Sequence, residues 1–325
     1  TVVSGGKYYF GTTPRPYTSV RLGEFPNPNV GWEKAKKLNL GADLSFFNQL
    51  NISVDYFKEN REGIFLQRKS IPMYVGLSTK PWVNIGKMRN SGIDASLEYH
   101  QPLGKDIHLT VRGNFTYARN RIMDQDEPDY AYTYMNRSGQ MQYQKFGLVA
   151  VGLFQDQEDI DSWTKQSFGE VKPGDIKYLD LNGDGIVDSY DTKPIGYSDI
   201  PEIVYGFGFS LQWKAFDLSA FFQGVAHVNF STLTDQTQAF VGRNLKESSV
   251  FADLYGNTWT PENPGAKYPR MTTGAVDNNN QLSTFWMADG RYLRLKNLEL
   301  GYTLPKRIAN KIAMQSLRVY LSGVN

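Results

Sequence analysis

The sequence predicts an all-β fold, and within that class a transmembrane antiparallel β-barrel, on three observations. Apolar residues return at every second position in several separate runs, the period of a strand with one apolar face. The chain is rich in residues that strands and their turns use, with 20 Tyr, 19 Phe, 6 Trp and 30 Gly,. The connections between runs alternate between tight and long, as in barrels with short periplasmic turns at one rim and long extracellular loops at the other.

The first run places Leu38, Leu40, Ala42, Leu44 and Phe46 opposite Asn39, Gly41, Asp43 and Ser45. Across a tight Asn48-Gln49 turn, Leu50, Ile52, Val54 and Tyr56 repeat the pattern, so the two runs form a hairpin,. A second hairpin joins Ile93, Ala95, Leu97 and Tyr99 to Ile107, Leu109, Val111, Phe115 and Tyr117 through the turn Gln101–Asp106. A third joins Tyr205, Phe207, Phe209, Leu211 and Trp213 to Phe216, Leu218, Ala220 and Phe222 at Lys214-Ala215. Lys145–Phe154 and Tyr292–Tyr302 are further strand candidates; in the second the apolar face moves from Leu293 and Leu295 to Leu298 and Leu300, which predicts a bulge,. A short helical stretch over 305–316 and a last strand from Leu317 complete a count of roughly nine strands, several of them long enough to cross a bilayer at a tilt. The long connections are expected at Glu59–Val83, Arg119–Tyr143, Gln155–Pro201 and Ala226–Ser283, lengths uncommon inside compact soluble domains. A secreted or surface-anchored β-rich glycan-binding or adhesion module, stabilised by calcium, is the alternative, because period two alone does not separate lipid from core.

Composition removes several classes. The formal net charge is +2 with both signs mixed along the chain, so no basic footprint for nucleic acid is present. The chain has no cysteine, and with it no disulfide, zinc-thiolate site or thiol nucleophile. No apolar run is long enough for a transmembrane helix, which leaves a barrel possible because alternation hides its hydrophobicity. The start, without Met or a signal-like segment, reads as an excerpt or a processed chain,. His100, His108 and His227 are isolated, no H-E-x-x-H, G-x-S-x-G or P-loop occurs, and the acidic run Asp156–Asp161 reads as a solvated loop. No enzymatic role is expected.

The stretch "DLNGDGIVDSYD", Asp180–Asp191, carries nearly the spacing of a twelve-residue calcium loop,. Asp180, Asn182, Asp184 and Asp188 would supply side-chain oxygens and Ile186 its carbonyl, with Asp191 where a bidentate Glu is usual. Turn-like sequence on both sides excludes an EF-hand sensor, so Ca2+ is expected, if bound, to stiffen an extracellular loop within 155–201; the alternative is an ion-free cluster of Asn-Gly and Asp-Gly turns. Tyr130, Tyr132, Tyr134, Trp163 and Trp259 also fall in long connections. Their rings would suit stacking on sugar or peptide, or equally packing between loops and rim girdles.

Several phrases in order carry a resemblance: "NPNVGWEKAKKLNLGADLSFFNQLNISVDYFKENREGIFL", "NIGKMRNSGIDASLEY", "GDIKYLDLNGDGIVDSYDTKPIG" and "GRYLRLKNLELGYTLP" followed by "SLRVYLSGVN". Together they are similar to the C-terminal part of the barrel of SusC/RagA-like TonB-dependent outer-membrane transporters. The resemblance spans nearly the whole chain, 1–325 as one partial barrel domain with plug and TonB box absent. It implies a plugged barrel of the 22-stranded type in the outer membrane of a Gram-negative bacterium, among membrane lipid and lipopolysaccharide. It further implies import of an oligosaccharide or oligopeptide, a SusD-like lipoprotein as lid, TonB as the energy link, and a dimer of transporter–lid pairs.

Overall fold

Period-two alternation becomes a single wall of long strands. The computed structural model describes residues 2–22, 25–75, 77, 79–234, 240, 250 and 252–325. A hairpin of β1 (Val2–Phe10) and β2 (Arg15–Leu22) forms its own two-stranded sheet, followed by β3 (Lys34–Phe46), β4 (Leu50–Gln67), β5 (Trp82–Pro102) and β6 (Ile107–Asp124). Six short strands then lie within the long connections: β7 (Phe146–Gly147), β8 (Ala150–Leu153), β9 (Lys165–Gln166), β10 (Ile176–Tyr178), β11 (Ile186–Val187) and β12 (Lys193–Pro194). The long strands resume with β13 (Ile203–Trp213) and β14 (Phe216–Ala226), then short β15 (Asn229–Ser231) and β16 (Met287–Asp289), and finally β17 (Tyr292–Thr303) and β18 (Arg318–Val324).

Eight of these strands make one antiparallel sheet in the order β18-β17-β14-β13-β6-β5-β4-β3. Its register lines up the apolar positions from strand to strand: Leu44 faces Ile52, Ile52 faces Leu97, and Leu97 faces Gly113. The same row continues through Phe207, Phe222 and Leu295. The opposite face carries Asp43, Ser53, Ser96, Asn114 and Ser210. On β3 the apolar face runs from Leu38 to Phe46, which at about 3.3 Å per residue and a tilt of about 40° gives a band roughly 20 Å tall. Trp213, Phe216 and Tyr302 pack in a row at the tight-turn rim, with ring centroids 6.4 and 4.7 Å apart, the place of an interfacial girdle.

Both faces of this sheet are open. Leu40, Phe207, Leu298 and Leu300 are all exposed, whereas most fully buried side chains, Trp286, Tyr178, Phe154, Leu148, Ile176 and Val187, lie outside it, in the long connections. A sheet with an apolar outer face and no protein over it needs a solvent as apolar as that face. No helix among the described residues is long and apolar enough to cross a membrane, which says nothing against crossing by strands.

The expected hairpins and the bulge are present: Phe221 faces Asn297 and Phe222 faces Leu295, leaving Lys296 as the extra residue. The first turn differs, since Phe47 and Asn48, both with φ of 54°, form its centre in place of Asn48-Gln49. Two long connections are shorter than expected, the one between β4 and β5 and the one after β6, since that strand runs on to Asp124. β4 and β5 stay paired out to Gln67 and Trp82, because above the bilayer both faces meet water and the strand no longer needs an apolar side. Lys145–Phe154 is not one strand but two short ones, β7 paired with β12 and β8 with β10. The connection 226–283 lies in part outside the described residues. The helical stretch narrows to Lys306–Ala309 with a 3-10 turn at Asn310–Ile312.

Candidate binding surface on the long-loop rim

The long connections after β6 and β14 fold onto one another around a core of Leu148, Leu153, Ile176, Tyr178, Val187, Trp259 and Trp286. Beside it a buried polar network joins the two segments. Gln166 donates to the carbonyls of Ile176 (3.0 Å) and the Asn278 side chain (2.6 Å), and its own carbonyl oxygen accepts from Tyr178 N (2.6 Å). Asn278 donates to Ile176 O at 2.8 Å, Asn279 accepts from Ile176 N at 2.9 Å, and the indole of Trp286 donates to Asn279 O at 2.8 Å. Asp175, fully buried, accepts from Lys172 N (2.8 Å) and Asn279 Nδ2 (2.8 Å) and pairs with Arg270, Nε to Oδ1 at 2.8 Å. A buried carboxylate is tolerated when paired and hydrogen-bonded in this way. Burial also raises the Tyr178 phenol above its ordinary range. Gly174, with φ of 89°, lies directly under the ring of Trp259, so neither its conformation nor the space admits a side chain.

This assigns the two tryptophans. Trp259 is only 8% exposed and packs in the core between the two segments. Trp163 donates its indole N–H to Tyr178 O at 2.9 Å, and the Lys177 ammonium lies 3.8 Å from its ring centroid. Lys177 also binds Asp159 at 2.6 Å, and that hydrogen bond holds the Asp159 carboxyl below its usual range. Asp156 caps the helix Gln157–Ser162 by accepting from Asp159 N at 2.8 Å.

The tyrosines are brought together. Tyr132 and Tyr134 stack with centroids 5.3 Å apart and planes 8° apart. Tyr190 meets Tyr132 edge-on at 6.2 Å, and Tyr134 Oη donates to Tyr190 O at 2.8 Å. Tyr190, 47% exposed, is the member that sequence reasoning did not include; it lies inside the acidic stretch, whose ligand spacing drew attention elsewhere. Burial, followed by the nearby carboxylates of Asp191, Asp184 and Asp180, raises the Tyr134 phenol. Tyr130 is half-buried and outside this trio.

The Asp180–Asp191 loop is held by its own hydrogen bonds. Asp180 accepts from Gly183 N (2.7 Å) and Gly185 N (3.0 Å), Asn182 from Asp184 N (2.9 Å), and Asp184 from Ile186 N (2.9 Å). Asp188 accepts from Tyr190 N at 2.7 Å. Asp191 is fully buried and accepts from Leu181 N (2.7 Å), Asn182 N (3.2 Å) and Asp188 N (2.8 Å). Ile186 pairs in β11 with Lys165. Among the described residues no three Asp, Glu or His side chains are grouped to hold a metal ion. Each acid of the loop accepts from at least one backbone N–H.

Two clasps tie this rim to the wall. Asp126, at the end of β6, accepts from Lys69 N (2.7 Å), Ser70 N (3.1 Å), Ser70 Oγ (2.9 Å) and Arg68. Burial pushes its carboxyl up, but the Arg68 and Ser70 hydrogen bonds outweigh this and bring it down to about 2. Glu202, 4% exposed, accepts from Arg119 Nε at 2.6 Å and lies 3.2 Å from His227 Nδ1, whose ring stacks on Tyr197.

Comparison with known proteins agrees with this architecture. The model of the family described as TonB dependent receptor-like, beta-barrel, matches residues 4–325. TonB-dependent receptor P3 of Formosa agariphila is 30% identical over 322 residues, covering 94% of this chain and 30% of its own length. TonB-dependent receptor SusC of Bacteroides thetaiotaomicron is 25% identical over 314 residues, covering 91% of this chain and 28% of its own. The RagAB peptide importer in its open-open state superposes over 100% of this chain and 34% of that one, with a TM-score of 0.68 at 20% identity, a likeness of fold. The chain thus spans about 30% of the length of the curated relatives it matches. With an eight-stranded wall, an apolar outer face and a match from residue 4 to residue 325, the chain belongs to the TonB-dependent receptor-like β-barrel family of outer-membrane proteins.

Proposed function

We propose that this chain forms part of the wall and extracellular rim of a SusC-like transporter that imports an oligosaccharide or oligopeptide by binding and energised gating. The carrying observation is the two-faced sheet: an apolar face in register across eight strands and a polar face behind it. That is the section of a barrel with lipid outside and a wet interior. The family match supports TonB as the energy link, and the likeness to SusC and to a RagAB importer supports a SusD-like lipoprotein as partner, in a dimer of transporter–lid pairs. The folded module on the long-loop rim is the surface such a lid would meet. The Tyr132, Tyr134 and Tyr190 trio offers ring faces there for a sugar or a peptide side chain,. The Asp180–Asp191 loop supports that trio through its own hydrogen bonds, with no role assigned to calcium.

The test is uptake by cells whose only transporter of this type is the intact protein containing the chain. Fluorescent oligopeptides and oligosaccharides should accumulate in the periplasm, and accumulation should stop when TonB is deleted. Accumulation unchanged without TonB would refute the reading.

A further inference from the structure

On the polar face of the sheet several basic residues pair with acids, while Asp43, Asp55 and Asp94 on that face stand outside the ion pairs among the described residues. Lys37 and Arg61 bind Glu59, Arg112 binds Glu98, and Arg318 binds Asp217 and Glu299. Just above its hydrophobic band the apolar face gathers basic residues. Counting upward from the band, one row holds Leu40, Tyr56, Ile93 and Tyr117, and the next holds Leu38, Lys58, Ser91 and Arg119. The row above that holds Lys36, Asn60, Arg89 and Arg121. Arg119 is neutralised by Glu202. Among the described residues, Lys36, Lys58, Arg89 and Arg121 have no carboxylate within ion-pair distance. The nearest acids on this face, Glu62 and Asp124, lie one row higher, beside Lys34 and Lys87.

Arg89 and Arg121 sit directly opposite each other on neighbouring strands. Like charges so placed destabilise a strand pair unless something neutralises them. Arg89 Nε donates to Asn60 Oδ1 at 3.1 Å and Arg121 Nη1 to Gly139 O at 2.5 Å, which orients both guanidinium groups and leaves their charge unmatched. At about 4.8 Å between strands the row from Lys36 to Arg121 is roughly 14 Å wide. Its height is decisive: it follows the Tyr56 and Tyr117 level, where a barrel meets the headgroups, at the long-loop and hence extracellular rim.

We propose that Lys36, Lys58, Arg89 and Arg121 form a docking site for a phosphate-bearing glycolipid of the outer leaflet. The phosphate would sit between Arg89 and Arg121, whose planar forks suit it, with Lys36 and Lys58 as flanking charges. The acyl chains would lie along Leu38, Leu40, Ile93 and Leu97 below. The site follows from the charge of this row and its continuity with the lipid-facing band; it rests on the membrane reading of that band and goes beyond the transport function.

The intact protein containing this chain, purified in mild detergent, would be titrated with lipid A and with the same lipid A after phosphatase treatment, and bound lipid counted by native mass spectrometry. Phosphorylated lipid A should bind and the dephosphorylated form should not. Arg89→Gln with Arg121→Gln should weaken binding about 30-fold, since each basic residue at an anionic membrane surface contributes roughly fivefold. Arg89→Lys with Arg121→Lys should restore most of it, which separates charge from folding, and Arg112→Gln on the polar face should leave it unchanged. Millimolar inorganic phosphate should not displace the lipid. Equal binding of the two lipid forms, or full binding to the double Gln variant, would overturn the proposal. Heat-modifiable migration of each variant reads barrel folding separately, so loss of the lipid site is distinguishable from loss of the barrel.

Discussion

Asp175→Ala should unfold the loop module while leaving the wall intact. The wild-type carboxylate is fully buried and accepts from Lys172 N and Asn279 Nδ2 while pairing with Arg270. Truncation orphans a part-buried backbone N–H on Lys172 and the buried amide of Asn279, the buried group costing about 1–3 kcal/mol. It also leaves Arg270, 24% exposed, without its counter-ion, and breaking a buried pair by removing one partner costs about 3–5 kcal/mol in total. Partial access of water to Arg270 places the estimate near 4 kcal/mol, which raises local opening by up to about a thousandfold. Hydrogen exchange of the intact protein in detergent reads this directly. Amides of 148–179 and 278–286 should exchange faster by that order, while β4, β5 and β6 keep their protection. A change below about tenfold, or equal deprotection of the wall, would refute the claim that Asp175 holds a separate cooperative unit.

Asp126 gives a pH prediction. Its folded pKa of about 2 lies below the ordinary 3.8, so its contribution is present above pH 4 and is lost as pH falls from about 4 to about 2, worth roughly 2 kcal/mol. Proteolysis around 68–70 should rise in that window, and Asp126→Asn should remove the dependence. Asp191→Ala orphans three backbone N–H groups and should open 180–191 to protease equally with calcium or with a chelator; protection that vanishes only with the chelator would contradict the geometry. Phe207→Arg places a cation within the lipid-facing band and should cost about 2–4 kcal/mol, read as reduced folded barrel in outer membranes.

The wall was largely legible because lipid imposes a period of two that survives in the residues themselves. Leu38 to Phe46 and Tyr205 to Trp213 show it without help. The upper half of β4, from Lys58 to Gln67, was not legible, since Lys58 to Glu62 are all polar and Ile64, Phe65 and Leu66 follow as a run with no period of two. The β1–β2 hairpin was missed for the same reason. The module escaped because its core joins residues far apart in sequence, such as Gln166 to Asn278, and no local pattern encodes such a contact. The tyrosine cluster was half legible: Tyr132 and Tyr134 are neighbours in sequence, while Tyr190 reaches them only through the fold. The turns between Asp180 and Asp191 were legible from their Asn-Gly and Asp-Gly pairs,, while the burial of Asp191 against Leu181, Asn182 and Asp188 N–H groups came only from the fold.

The chain contributes no thiol of its own, so a single introduced cysteine is the only one within it for the decisive measurement. Single cysteines placed in turn along β13, from residue 203 to residue 213 of the intact protein in lipid bilayers, would carry a nitroxide whose access to oxygen and to a water-soluble paramagnet is compared. Labels at 205, 207, 209 and 211 should favour oxygen, and labels at 206, 208, 210 and 212 should favour the water-soluble reagent. Uniform access to the water-soluble reagent at all positions would contradict a lipid-facing wall, and with it the account of this chain as part of an outer-membrane barrel.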